Sequence, residues 1–320
     1  VVKEMSFSDD VKHELAHLEI NKKGVHQAEL AALIRMAGSI LISSGKLAVK
    51  IGVYHSDVAR RVYKYIKEEY QFNSEIRVKQ NNLTKRKKYE LYITPQKGVY
   101  ELLENLGILN DFHQIMFTVA DWIKNDRDSK RAYLRGVFLA GGSVNKPKAE
   151  YHLEIRCDHK THAEEIIELM KEFDLDPHLT EHKNKEVIYL KKYDDIATML
   201  NLMGAYNSLL ELENMQVFKD IKNQVNRRVN CETANLDKTV KAAMEQIEDI
   251  KLIEKEKGLE DITESLREIA NLRKDNPYSS LKEMGEILEP KLSKSGVYNR
   301  IRRLKKIADE IRSGKNGSSS

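Results

Sequence analysis

Cysteine is scarce in this chain: Cys157 and Cys231 are the only two in 320 residues, and they sit in unrelated contexts. Two thiols cannot staple a chain of this length, which excludes a disulfide scaffold and points to a reduced, cytoplasmic setting. A membrane-spanning run is also missing. The most apolar stretch, residues 28–42, is broken by Glu29 and Arg35 and falls short of the roughly 20 residues a span requires. No signal peptide opens the sequence, because residues 6–14 are polar and charged, and Met5 is a candidate start. Neither sign of charge dominates: the net charge is +4, so a nucleic-acid partner must be argued from local clusters. What is present is enough apolar material for a packed core, 41% of residues. The length allows two or three domains at about 100–200 residues each.

The chain repeats itself. Leu30-Ala31-Ala32-Leu33-Ile34-Arg35-Met36-Ala37-Gly38-Ser39 aligns with Leu134-Arg135-Gly136-Val137-Phe138-Leu139-Ala140-Gly141-Gly142-Ser143, 104 residues later. The same offset relates two alternating, strand-like runs, residues 47–53 and 151–157, and two helical patterns, residues 58–66 and 162–170. Residues 89–93 then match 186–190 at an offset of 97, so the second copy has lost seven residues, mostly from a hairpin loop. A closing helix ends at Gly107 in one copy and Gly204 in the other, each glycine suited to a C-cap. Each copy therefore reads helix, strand, strand, helix, strand, strand, helix. Ala32, Ala37 and Gly38 on one motif helix, and Gly136, Ala140, Gly141 and Gly142 on the other, lack the bulk that holds helix axes ~8–10 Å apart. They predict either close helix contact or, at the glycine-rich ends, turns.

Both motifs resemble the LAGLIDADG helix of homing endonucleases, whose eighth residue is an acid that binds the metal at the scissile phosphate. That position holds Ala37 in one copy and Gly141 in the other. Neither offers the oxygen ligand a divalent metal needs. No catalytic residue, metal or cofactor is expected, although a residual nuclease using displaced acids such as Asp57, Glu150 or Asp158 is an alternative. The histidine-bearing runs at residues 158–162 and 178–182 lack cysteines at zinc-finger spacing and are interrupted by lysine or non-ligand residues. Trp122 is expected in the core ahead of the second repeat.

After residue 214 the strand-like alternation stops. Residues 216–272 contain no proline and carry long helical patterns, and residues 245–268 hold nine acids against four bases, a solvated face or a partner surface. Ser280-Leu281-Lys282-Glu283 fits a capping box, followed by an apolar face of Leu281, Met284 and Leu288. Glu289-Pro290 ends that helix. A second helix starts near Ser293 or Ser295, with Val297, Ile301, Leu304 and Ala308 inward. Its remaining sides carry Lys294, Ser295, Tyr298, Asn299, Arg300, Arg302, Arg303, Lys305 and Lys306, and residues 291–306 hold seven bases and no acid. This is the pattern of a helix-turn-helix with its recognition helix. A second basic cluster lies in the first repeat's hairpin: Arg77, Lys79, Lys85, Arg86, Lys87 and Lys88 fall within thirteen residues that include no acid. It reads as a phosphate grip or a charged, solvated loop tip.

A degenerate LAGLIDADG pair followed by a helix-turn-helix is similar to the WhiA family of bacterial regulators. The most specific pieces are residues 226–235, Asn-Arg-Arg-Val-Asn-Cys-Glu-Thr-Ala-Asn, and residues 293–304. The resemblance implies an α+β fold: two pseudo-twofold LAGLIDADG-like halves at 6–110 and 111–215, a helical linker at 216–274, an all-α helix-turn-helix domain at 275–312 and a flexible tail at 313–320. It also implies a cytoplasmic, nucleoid-associated, sequence-specific regulator of transcription acting in sporulation, cell division and chromosome segregation. Double-stranded DNA is the expected partner, a monomer the expected state and no membrane is involved. An alternative is an interaction scaffold whose endonuclease-like half binds RNA polymerase, another regulator or a division factor.

Overall fold

A computed structural model of the chain describes residues 6–20, 22–43, 45–80, 86–145 and 150–316. Two compact units emerge, residues 1–218 and 219–320. The first is α+β. Its repeat follows the expected order in both copies: α2 (Lys23–Ala37), β1 (Gly38–Ser43), β2 (Lys46–Val53), α3 (Ser56–Tyr70), β3 (Ser74–Gln80), β4 (Lys87–Ile93) and α4 (Val99–Asn105), after an N-terminal α1 (Phe7–His17). A short α5 (Asp121–Lys124) precedes the second copy, which runs α6 (Arg127–Gly141), β5 (Gly142–Val144), β6 (Leu153–Cys157), α7 (Lys160–Lys171), β7 (His178–His182), β8 (Lys185–Leu190) and α8 (Tyr193–Met203). Each copy builds a four-stranded antiparallel sheet, β1-β2-β4-β3 and β5-β6-β8-β7. The β7–β8 hairpin is the shortened part: its strands are shorter than β3 and β4, and only two residues separate them.

The two motif helices meet where their side chains are smallest. A Cβ built on Gly136 of α6 would lie 2.5 Å from the Glu29 carbonyl oxygen and 2.8 Å from the Ala32 Cβ of α2. The terminal glycines serve the other expected role. Gly38 and Gly142 cap α2 and α6 in extended backbone, each leading straight into a strand. Close approach and turn are thus both present, at different glycines.

Glu29 is the reason this contact is more than apolar. It is fully buried, where a lone carboxylate would be very costly. Arg135 of α6 donates to it from Nε at 2.6 Å, Arg61 of α3 donates through Nε and Nη2, and the Tyr65 hydroxyl donates at 3.2 Å. Burial pushes the Glu29 pKa up, but the two guanidinium groups outweigh it and hold the carboxyl below the usual glutamate range. The arginines also serve the neighbouring helices: Arg135 donates to the Met203 carbonyl at the end of α8, and Arg61 to the Leu18 carbonyl after α1.

Helix α1 sits against this core although its sequence looks polar. Phe7, Val11 and Leu15 are buried at i, i+4 and i+8, and Ser6 and Asp9 complete a capping box. Trp122 is half-buried and it is the adjacent Ile123 that is buried. Helix α9 (Tyr206–Glu256) starts in the first unit and ends in the second, and residues 221–238 are exposed on every side.

The second unit is all-α: the end of α9, a 3-10 turn η1 (Leu259–Asp261), α10 (Glu264–Asp275), α11 (Leu281–Ile287) and α12 (Lys294–Asn316). Ile250, Ile253, Leu266 and Ile269 share one apolar core with Met284, Leu288, Val297, Ile301 and Leu304. The helical unit therefore reaches back before residue 275, because the α11–α12 pair has too little apolar surface to close a core alone. Residues 313–316, expected in a flexible tail, continue α12, and 317–320 lie outside the described residues.

Replacing Gly136 with Leu forces bulk into the α2–α6 contact, and overpacking of this kind costs ~1–3 kcal/mol. The expected outcome is a lowered thermal midpoint for Gly136→Leu. An unchanged midpoint would contradict the contact.

Candidate nucleic-acid interface

The helix-turn-helix is assembled from three local devices. Ser280 and Glu283 form the capping box that starts α11, each accepting from the other's backbone amide. Gly285 then lets the turn pass close: its Cβ would lie 2.2 Å from the Leu292 carbonyl oxygen, and the Leu292 amide donates to the Gly285 carbonyl at 2.9 Å. Ser293 starts α12, its hydroxyl accepting from the Gly296 amide at 3.2 Å. Behind the turn, fully buried Arg273 donates to the Ser279 carbonyl at 2.6 Å and fixes the α10–α11 connection.

Buried Val297, Ile301, Leu304 and Ala308 set the orientation of α12. At 3.6 residues per turn the opposite side presents Ser295, Asn299, Arg302 and Lys306 in one row, with Lys294, Tyr298, Arg303 and Lys305 flanking it. All eight are exposed. Arg300 departs from the expected outward set. It lies on the flank facing α10 and donates to Glu268 at 3.0 Å and to the Ser265 carbonyl at 3.3 Å, bracing the two helices. The acid-rich stretch has the same internal use: Asp249 pairs with Arg312, Glu254 with Lys274 and Glu260 with Arg267. These acids neutralise the back and sides of the unit and leave the outward row of α12 basic.

Strand alternation splits the hairpin cluster in two. Lys88 and Lys79 face each other across β3 and β4, on the sheet face that also carries Lys50, Tyr92 and Arg77. Lys88 lies over Gly52, where a Cβ would meet its chain at 2.5 Å, and Lys79 pairs with Glu90 at 2.9 Å. Lys87 points to the other side and lines a cleft with Tyr54 and His55, near which the Arg86 guanidinium lies 5.8 Å from the Tyr54 ring centroid. Lys85 lies outside the described residues. Lys50 belongs to the basic face but was missed from sequence, since only the β2–β4 register brings it beside Tyr92. The equivalent face of the second sheet carries Arg156, which donates to Glu154 at 2.8 Å, with Thr180 and His182.

At one of the two positions where a LAGLIDADG nuclease keeps its acids, Gly141, space is short as well as oxygen. A Cβ on Gly141 would lie 2.6 Å from Met36 Cε and 2.7 Å from the Arg156 carbonyl oxygen. Ala37 is half-buried. Of the alternative acids, Asp57 pairs with His13 and Arg60, and Asp158 with Lys185 at 2.8 Å. Glu150 is exposed. The two histidine-bearing runs do not converge on a metal: His162 is buried against the Tyr133 hydroxyl at 2.8 Å, and His159 packs on Phe117. Among the described residues one group, His13, His17 and Asp57, has the donors to hold a metal ion.

Comparison with known proteins decides the family. Residues 23–109 match the WhiA N-terminal LAGLIDADG-like domain, residues 130–222 the WhiA LAGLIDADG-like domain and residues 225–308 the WhiA C-terminal HTH domain. A "Probable cell division protein WhiA" of Halothermothrix orenii is 53% identical over 310 residues, covering 96% of this chain and 99% of the relative. The chain belongs to the WhiA family. A probable cell division protein WhiA of Staphylococcus carnosus is 44% identical over 316 residues, covering 97% of this chain and 98% of its own. The crystal structure of full-length DUF199/WhiA from Thermatoga maritima superposes with a TM-score of 0.60 at 25% identity, over 96% of this chain and 99% of that one. Among the described residues of this WhiA chain, no helix is long and apolar enough to cross a membrane.

The crowding at Gly141 has a measurable consequence. Gly141→Asp should lower the thermal midpoint clearly, because its Cβ meets the Arg156 backbone. Ala37→Asp should cost less, since a Cβ is already accommodated there. Equal midpoints for the two variants would show that the second motif position is open.

Proposed function

We propose that this WhiA protein is a sequence-specific DNA-binding regulator of transcription in which the helix-turn-helix reads the site and the LAGLIDADG-like halves hold their partner without cutting. The observation that carries the reading is the outward row of α12 and its flanks, eight exposed polar, aromatic and basic residues with no acid before Asp309. Ordinary surface helices mix both signs. Asn and Arg in such a row match base edges, Asn to adenine and Arg to guanine, while lysines meet phosphates. The missing motif acids support binding in place of hydrolysis. On the first sheet, Lys50, Lys79 and Lys88 offer a backbone grip and favour DNA as the occupant of that face.

Relatives named probable cell division proteins support cell division as the process in which it acts, and chromosome segregation and sporulation belong to the same proposal on the family resemblance. A cytoplasmic protein at the nucleoid follows from the same reading. In domain terms the proposal keeps the two halves, 6–110 and 111–215, as the holder. The reader is the helical unit whose core includes α10, α11 and α12.

Binding to operator and random duplexes at fixed salt tests the division of labour on α12. Asn299→Ala and Arg302→Ala should each lose roughly 1–3 kcal/mol of discrimination. Lys305→Ala should weaken all sequences alike and reduce the salt slope by about one. Retained site preference in the Asn299→Ala, Arg302→Ala double variant would move sequence reading to the LAGLIDADG-like sheets.

A further inference from the structure

The N-terminal helix carries a cluster that DNA binding does not use. We propose that His13, His17 and Asp57 form a site for a divalent transition-metal ion of the zinc class, clamping α1 to α3. One ligand atom from each of the three lies within 4.8 Å of the others. Nitrogen and oxygen ligands ~2.0–2.2 Å from zinc stand about 3.4 Å apart at tetrahedral angles, so small side-chain rotations close the site.

Each member is positioned for this by the fold. His13 and His17 are i and i+4 on α1 and share one face, with ring centroids 4.3 Å apart. The buried Val11 and Leu15 on the other side of α1 keep both imidazoles at the surface. Asp57 reaches them from the first turn of α3, its Oδ2 2.8 Å from His13 Nδ1, while Arg60 holds Oδ1 at 3.0 Å. The hydrogen bonding of His17 supplies an independent argument. Its Nδ1 lies 2.8 Å from the His13 carbonyl oxygen, and a carbonyl only accepts, so Nδ1 carries the proton. Nε2 is then the lone-pair nitrogen, the arrangement in which protein imidazoles bind metals: one ring nitrogen donates to a carbonyl and the other coordinates. Three ligands leave a fourth position open towards a cleft of about 900 Å³ lined by His17, Asp57 and Arg60.

The sequence of α1, His13-Glu14-Leu15-Ala16-His17, has the His-Glu-x-x-His spacing of zinc peptidases, in which the glutamate is the general base. Here Glu14 is engaged elsewhere. Its carboxylate accepts from the backbone amides of Asn207 and Ser208 at 2.7 and 2.9 Å and from the Ser208 hydroxyl at 2.6 Å, capping α9. The ion would therefore act as a structural clamp with no hydrolytic base beside it.

Calorimetric titration of the metal-stripped full chain with zinc chloride tests the site, with magnesium chloride as control. The expected result is one equivalent of zinc bound, reversed by a chelator, with a raised thermal midpoint. Magnesium should produce neither effect. His17→Ala and Asp57→Asn, both at the surface side of their helices, should each weaken zinc at least tenfold while the midpoint in chelator stays close to that of the parent. Cobalt substituted for zinc should give a spectrum without a thiolate charge-transfer band, because no cysteine takes part. Absence of saturable zinc binding overturns the proposal. So does stoichiometric binding that survives the His13→Ala, His17→Ala double variant, or a thiolate band from Cys231.

Discussion

The close approach of α2 and α6 is the constraint on which the first unit depends. Two helices of a repeated fold can pack at this distance only where side chains shrink, and Gly136 supplies that by bringing the Glu29 backbone to within van der Waals limits. The same approach buries the Glu29 carboxylate, which then has to be matched. Arg135 and Arg61 match it from α6 and α3, and each also donates from Nη1 to a carbonyl at the end of α8 or α1. One buried anion therefore ties five helices and both repeats together. Such a cluster is poor evidence of net stability, since an apolar replacement can do as well. Loss of Glu29 is costly all the same, because it leaves two buried guanidinium groups without their counter-charge.

That constraint also bears on chemistry. A helix end packed to accept only glycine at position 141 has no room for a carboxylate, whatever the sequence around it. The pair of helices that delivers metal ligands in a homing endonuclease is kept here as a packing device. Positive side chains gather in two places, on one face of the first sheet and on the outward side of α12. Inside the second unit, acids are matched one by one to the arginines and lysines of α10 and α12.

Much of this was legible in the sequence because it is periodic. The offset of 104 gave the repeat, the shift to 97 located the shortened hairpin, and the Ser280–Glu283 box with the Val297 stripe gave both helices of the helix-turn-helix. What the sequence hid depends on register and on partners distant along the chain. Lys87 and Lys88 look equivalent until the β4 pleat sends them to opposite faces. Arg300 looks like its neighbours until α10 brings Glu268 beneath it. Glu29 looks like an interruption in an apolar run, since its partners lie 32 and 106 residues away. The polar appearance of α1 concealed both its buried stripe and the imidazole pair on its outer face.

The central claim, that a nuclease scaffold here holds DNA without cutting it, is tested most directly by incubating saturating full-length protein with bound duplex in magnesium or manganese and recovering the strands. The account predicts a fully shifted duplex whose strands remain intact throughout. Metal-dependent strand breaks that disappear when a nearby acid such as Asp57 or Asp158 is replaced would contradict it.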